Sequence, residues 1–375
     1  MKEKIIFIGL VNMEEFKGDA NHFKKLTNYM KSYYNTLIIS FTKPVDENYF
    51  QIKFPQNKIM RIIYWNISIL WLITLLYFKE KPKVIYFRES GLVIAPYLAK
   101  LVFNIKLFIE VHGVKIDDTP IPPKLTIFIF KLLYKLPDKF IASIGSAKLI
   151  SENFGVTFHK IQIVSLGFYF DKEYTKSKIC NPPGNINKKI VFIGNIIEYQ
   201  GLESFIDGFY KLCLETKEDI IFFIIGDGPQ KEFLINKVNE LNIKDKVKFI
   251  SSVDENKLKE FLFTCHLGIS PFFSNRGKEN TISSLKTYDY LNARIPILTS
   301  KMDEMAAFIK AEDIGDIIYN YTEEEYKNKI LRCLEDGFQE QVKNIYNLMT
   351  PIWFSQFSWD TRFNKIKNSL ESIMN

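Results

Sequence analysis

Glu279-Asn280-Thr281-Ile282-Ser283-Ser284-Leu285-Lys286-Thr287-Tyr288-Asp289-Tyr290-Leu291-Asn292-Ala293-Arg294-Ile295-Pro296-Ile297-Leu298 reads as a polar loop, a short helix and a buried strand in one run. The charged loop begins at Ser274, Ser283 and Ser284 are both good N-caps, and the helix ends before the strand Ile295 to Leu298. A loop entering a helix between two buried strands presents free N–H groups and a positive dipole end, which together bind phosphate. Lys286 falls in the first helical turn, and Asp289 lies three residues on, on the same face. The pair reads either as an ordinary surface pair on a capped helix or as a phosphate site followed by a carboxylate for a hydroxylated sugar.

The same alternation extends upstream. Ile190 to Gly194, Ile220 to Ile225, Val247 to Ile250 and Leu267 to Pro271 are short apolar runs, separated by helices predicted over Leu202 to Leu214, up to Leu241 and over Glu255 to Phe263. Continuous apolar runs of this length with helix-length segments between them predict a parallel sheet covered on both faces. The first half repeats the pattern at Ile5 to Gly9, Leu37 to Phe41, Val84 to Phe87, Leu107 to Val111, Phe140 to Ser143 and Ile161 to Val164. Each half is therefore expected to be Rossmann-like. Between them, Asp171 to Lys189 contains Pro182-Pro183-Gly184-Asn185 and reads as the linker. At 375 residues the chain is too long for one ordinary core, which agrees with two domains.

Charge and cysteine usage narrow the class. The net charge is +7, and the segment 79–148 carries twelve basic against six acidic residues, nearly the whole excess. These charges alternate with apolar runs, so an anionic membrane surface or an acidic acceptor is the expected partner, and nucleic acid is not. Two apolar stretches lie in or beside this segment. Ile62 to Phe78 is at the lower limit for spanning a bilayer and is read as a buried or interface-lying helix; Leu125 to Leu136 is amphipathic and carries Lys131 and Lys135. Cys180, Cys213, Cys265 and Cys333 form no C-x-x-C pair, which argues against a zinc site or a disulfide framework. No signal peptide is readable, and a cytoplasmic protein with peripheral attachment to the inner face of the membrane is expected.

The motifs Phe192-Ile193-Gly194-Asn195, Tyr199-Gln200-Gly201-Leu202, Gly226-Asp227-Gly228-Pro229 and Ser284 to Leu291, with Val111-His112-Gly113 and Phe357-Ser358-Trp359-Asp360, together resemble the retaining glycosyltransferases of family 4. The resemblance runs along essentially the whole chain. It implies the GT-B fold, two Rossmann-like domains facing each other across a cleft, with a C-terminal helix crossing back to the first. The implied division is an acceptor-binding domain over 1–175 joined by the helix 353–375, a linker over 176–189, and a sugar-nucleotide domain over 190–352.

The resemblance also implies roles. Lys286, His112 and Glu279 are expected to carry the chemistry. Asp289 takes the place of the carboxylate on the ribose hydroxyls, and Ser284, Leu285 and Lys286 form the helix start facing the diphosphate. Gly226, Asp227 and Val253, with Ser252, fall where the base lodges, and Gly18 matches the first-domain loop near the phosphates. Where the family commonly has Arg and Lys, this chain has Asn195 and Gln200, and the family's first paired glutamate is Thr281, with Glu279 two residues off register. Leaving-group stabilisation then leans on Lys286, the helix dipole and Arg276 or Lys278.

The expected activity is transfer of a sugar from a UDP- or GDP-linked donor to a lipid-linked or surface-polysaccharide acceptor, with retention and without a metal or other cofactor. The uncharged Asn195, Gln200 and Thr281 sustain the alternative of a non-catalytic glycosyltransferase-like partner or stabilising subunit.

Overall fold

The computed structural model describes residues 2–13, 18–42, 48–53, 55–112, 121–165, 187–251, 253–273 and 284–374. Two compact units share the chain: Met1–Ser165 with Asp360–Asn375, and Leu166–Trp359.

In the first unit, strands β1 (Lys4–Gly9), β2 (Asn35–Ser40), β3 (Tyr49–Gln51), β4 (Val84–Arg88), β5 (Lys106–Val111), β6 (Lys139–Ala142) and β7 (Ile161–Ile163) form one sheet of order β3-β2-β1-β4-β5-β6-β7. Every recorded pairing in it is parallel. The reason is legible in β1, where Ile5, Ile6, Phe7 and Ile8 are all fully buried, so both sheet faces must be covered. Helices α1 (Gly18–Lys31), α2 (Lys58–Glu80), α3 (Ala95–Phe103), α4 (Pro123–Leu133) and α5 (Ile144–Phe154) make the crossovers. Right-handed connection puts α2 to α5 on one face. There Ile69, Ile73, Tyr97, Phe130 and Ile150 join Ile6, Ile8, Ile85 and Ile109 in a single core.

The second unit carries β8 (Lys188–Ile193), β9 (Ile220–Ile225), β10 (Val247–Ile250), β11 (Leu267–Ser270), β12 (Ile297–Ser300) and β13 (Gly315–Ile318), ordered β10-β9-β8-β11-β12-β13 and again parallel. Its helices are α6 (Leu202–Glu215), α7 (Lys231–Glu240), α8 (Glu255–Leu262), α9 (Leu285–Ala293), α10 (Ala306–Ala311), α11 (Glu323–Leu334) and α12 (Asp336–Phe357). The last helix, α13 (Trp359–Met374), belongs almost wholly to the first unit, where Phe363, Ile366 and Leu370 are buried. Trp353, expected in that returning helix, instead joins the second core from within α12. Lys188 and Lys189, assigned to the linker, open β8, and residues 166–186 lie outside the described residues. The short β3 and β13 were not read from the sequence.

The sheet order places a topological switch point between β1 and β4 in the first unit and between β8 and β11 in the second, where open α/β sheets bind ligands. The loop after β8 is held tightly over the end of β11. Gly201 has φ +71°, and a Cβ there would lie 2.3 Å from the Pro271 carbonyl oxygen. Gly201→Ala is therefore expected to cost about 1–3 kcal/mol through backbone strain and overpacking. Chemical denaturation reads this directly, and an unchanged midpoint would show that the loop is not pinned there.

Candidate active site

The switch point of the second unit is opened by one tyrosine. The β8–β11 ladder is recorded only at Leu267↔Ile190 and Gly268↔Val191. Beyond it, the Tyr290 hydroxyl accepts from the Ile193 N–H at 3.1 Å and donates to the Ile269 carbonyl at 3.1 Å. Its ring occupies the space a Cβ on Gly268 would need, with Cγ 2.3 Å from that position.

Through Tyr290, α9 is fixed against the strand ends and Lys286 is carried inward. Lys286 is 7% exposed, so it is not half of a surface pair. Its Nζ donates to Gln200 Oε1 at 2.5 Å and lies 4.7 Å from the Phe192 ring and 4.4 Å from the Phe272 ring. Gly194, with φ +127°, leaves room for the side chain: Lys286 Cε is 3.5 Å from where its Cβ would be. Burial pushes the Lys286 amine down to about 7, against the pull of Asp303 and Asp289. From an ordinary 10.5, that is roughly 5 kcal/mol against the charged form. An anion beside Nζ would reverse the sign.

Asp303, which sequence reading passed over, fastens this corner. Its Oδ2 accepts from Thr287 at 2.6 Å and Thr299 at 2.9 Å, and its Oδ1 from the Met305 N–H at 2.9 Å. Burial raises its pKa, opposed by these hydrogen bonds. The signal was positional: Asp303 follows the carboxyl end of a parallel strand, the rule that selected other candidates.

The other predicted residues fall around Lys286 unevenly. Asn195 and Asp289 are exposed, and Asp289 is electrostatically coupled to Lys286. Ser284 occupies the N-cap position of α9 without a side-chain capping bond, and Leu285 is half-buried against the second core. The backbone at Gly226 runs against Gly194, where a Cβ would sit 2.0 Å from the Gly194 oxygen. Asp227 pairs with Lys231 at 2.5 Å, and Val253 is exposed. Glu279, Thr281, Arg276, Lys278 and Ser252 lie outside the described residues.

The first unit gathers a second cluster at the carboxyl ends of β4 and β5. His112 Nε2 lies 3.1 Å from Glu110 Oε1, which is fully buried and also takes Arg362 Nη2 at 2.7 Å. His22, on α1, accepts from Arg362 Nε at 3.0 Å, with Arg88 Nη1 3.3 Å from its Nδ1. Desolvation lowers both histidine pKa values against the pull of Glu110, and the two guanidiniums add to the lowering. Gly18 is the first residue of α1, four positions before His22, and not part of a preceding loop. Glu110 and Arg362 were not singled out from the sequence, because neither stands in a motif.

His22, Glu110 and His112 present ligand atoms close enough to hold a metal ion, the one such group among the described residues. The donor set does not fit one. Glu110 is already paired with Arg362, the His22 Nε2 lone pair is occupied by Arg362, and two guanidiniums would face the added cation.

Two parallel α/β units, one with a lysine buried at its switch point, define a protein of two Rossmann-like domains. Residues 180–347 match the family described as Glycosyl transferases group 1. An uncharacterized glycosyltransferase of Methanocaldococcus jannaschii is 23% identical over 298 residues, covering 76% of this chain and 73% of that one. The chitobiosyldiphosphodolichol beta-mannosyltransferase of Dictyostelium discoideum is 31% identical over 98 residues, 26% of this chain and 19% of that one. Among solved structures, Anabaena HepE in complex with UDP superposes with a TM-score of 0.75 at 13% identity, over 98% of this chain and 100% of that chain. The chain has the GT-B fold, and residues 180–347, most of its second unit, match the group 1 glycosyl transferases.

The buried amine gives a pH signature. With the Lys286 amine pushed down to about 7, the pyrophosphate affinity of wild type relative to Lys286→Met is expected to rise as pH falls from 8.5 to 6, the ligand's own titration being common to both. Calorimetry at low salt checks it; equal affinity of wild type and Lys286→Met across the range would remove Lys286 from the anion site.

Proposed function

We propose that the chain is a retaining, metal-independent transferase that moves a sugar from a UDP- or GDP-linked donor to a lipid-linked or surface-polysaccharide acceptor. The observation that carries the reading is the buried Lys286 at the switch point, desolvated and hydrogen-bonded through Nζ to Gln200 Oε1. Departure of a diphosphate needs anion stabilisation more than a strong base. Lys286 and the start of α9 supply it, while Asp289 holds the ribose hydroxyls. Gln200 replaces a family cation with an orienting acceptor, so the site works with fewer charges. HepE was solved with UDP, which supports a uridine donor, and the Dictyostelium relative bears a lipid-diphosphate-linked acceptor in its name. His112, neutral at pH 7, is assigned to the transferred sugar, and Glu279 to a substrate contact. Retention follows if the departing phosphate oxygen takes the acceptor's proton on the same face.

The acceptor's lipid would bring the enzyme to the cytoplasmic membrane face, and the first unit offers a surface for this. Helix α2 is long and apolar enough to cross a membrane, yet Ile69, Leu72, Ile73 and Leu76 tie it into the core as a crossover. Only 22% of its apolar stretch is buried, unlike a core helix. Met60, Ile63, Ile67, Trp71, Leu75 and Phe78 stand exposed at helical spacing, and the neighbouring helices add Leu101, Val102, Phe128 and Leu132. Lys58, Lys79, Lys124 and Lys131 are exposed on these helices, and Glu80 is their one acidic residue. Each buried large side chain contributes up to about 1.5–3 kcal/mol and each lysine near anionic lipid about 1 kcal/mol.

Two measurements follow. Lys286→Ala and Asp289→Ala are each expected to reduce nucleotide release from a panel of UDP- and GDP-sugars by at least about 100-fold in folded protein. Folded wild type that gives no heat with UDP or GDP would instead support the non-catalytic partner reading that Asn195 and Gln200 leave open. Trp71→Glu with Phe78→Glu should abolish flotation with phosphatidylglycerol vesicles. Flotation equal to wild type would place the membrane contact elsewhere.

A further inference from the structure

The ionic cluster of the first unit does something the donor chemistry leaves unexplained. Arg362 is 4% exposed, and its guanidinium reaches four acceptors: His22 Nε2 at 3.0 Å, the Val164 carbonyl at 3.1 Å, the Ser165 carbonyl, and Glu110 Oε1 at 2.7 Å. Anchoring α13 does not require this, because Phe363, Ile366 and Leu370 already bury its apolar face. A buried ion pair at best breaks even against apolar side chains of similar size, so stability alone accounts poorly for it.

We propose that Arg362 is a positioning residue: it fixes the Glu110 carboxylate, and Glu110 fixes which nitrogen of His112 carries the proton. This rests on the reading that His112 faces the transferred sugar. A carboxylate only accepts, so His112 Nε2, 3.1 Å from Glu110 Oε1, holds the hydrogen, and the neutral ring keeps its lone pair on Nδ1. His112 has 29% of its side chain exposed, so that nitrogen is available to a hydroxyl donor, whereas Glu110 is wholly enclosed.

The groups facing His112 are Glu110, which favours its imidazolium, and Arg88, Arg362 and His22, which oppose it; Tyr86 lies against Glu110 beneath. Arg362 both screens the carboxylate and holds its Oε1. Without Arg362, Glu110 has lost its guanidinium partner and draws a proton onto His112, converting an acceptor into a cation. A residue on the last helix thus sets the protonation state of a side chain after β5.

Four histidines make this readable in the full chain. Long-range proton–nitrogen correlation spectra between pH 5 and 9, with His112 assigned by loss of its signal in His112→Gln, should show wild-type His112 neutral at pH 7 with hydrogen on Nε2. Arg362→Ala should raise its titration midpoint by about one pH unit or more, Arg362→Lys should leave it near wild type, and Glu110→Gln should lower it. Identical His112 tautomer and titration in wild type and folded Arg362→Ala overturns the proposal. If Arg362→Ala does not fold, unchanged His112 behaviour in Glu110→Gln overturns it equally.

In nucleotide release from the donor that wild type turns over, Arg362→Ala should lower kcat about 100-fold with little change in KM, and Arg362→Lys should recover most of it. A chain with no turnover on any donor would defeat the transfer reading, while the spectra would still decide the role of Arg362.

Discussion

The second unit depends on a tyrosine hydroxyl that substitutes for a missing stretch of β-ladder. At a switch point, two neighbouring strands send their connections in opposite directions, and β8 and β11 pair over only two positions. The Ile193 N–H and Ile269 carbonyl would then be buried without partners, at about 1–3 kcal/mol each. Tyr290 satisfies both with one oxygen, and Gly268 leaves its ring the space to do so. The same contact sets the rotation of α9 and so decides that Lys286 turns inward and Asp289 outward.

Buried charge is handled in opposite ways in the two units. In the first, Glu110 Oε1 meets Arg362 directly and the histidines are kept neutral. In the second, Lys286 has an amide oxygen and two aromatic faces as its close partners, and burial drives it toward the neutral amine. The first arrangement fixes geometry; in the second, Asp303 and Asp289 offset only part of the desolvation of the amine.

The outward face of α2 to α4 adds a third case, in which apolar surface is left to solvent. Trp71 and Phe78 are 64% and 70% exposed on a helix whose opposite side is core. Isolated exposed apolar residues are ordinary, but a stripe of them along one helix, continued on its neighbours and bordered by lysines, is the pattern on which the proposed membrane contact rests.

The alternation of apolar runs and helical segments determined by itself that the chain forms two parallel α/β units, since a strand such as Ile5 to Ile8 has no polar face to offer water. It also determined the helix and strand around Lys286, because apolar spacing is a local property. Tertiary structure decided the rest. Whether Lys286 lies on the surface or in the interior depends on Tyr290 and Gly268, which are adjacent only once β11 is beside α9. Glu110, Arg362 and Asp303 stand in no motif, and Glu110 and Arg362 are 252 positions apart. Their charges acquire meaning only when folding removes water from between them, because Coulomb interaction in a desolvated site depends on distance in space and not on separation along the chain.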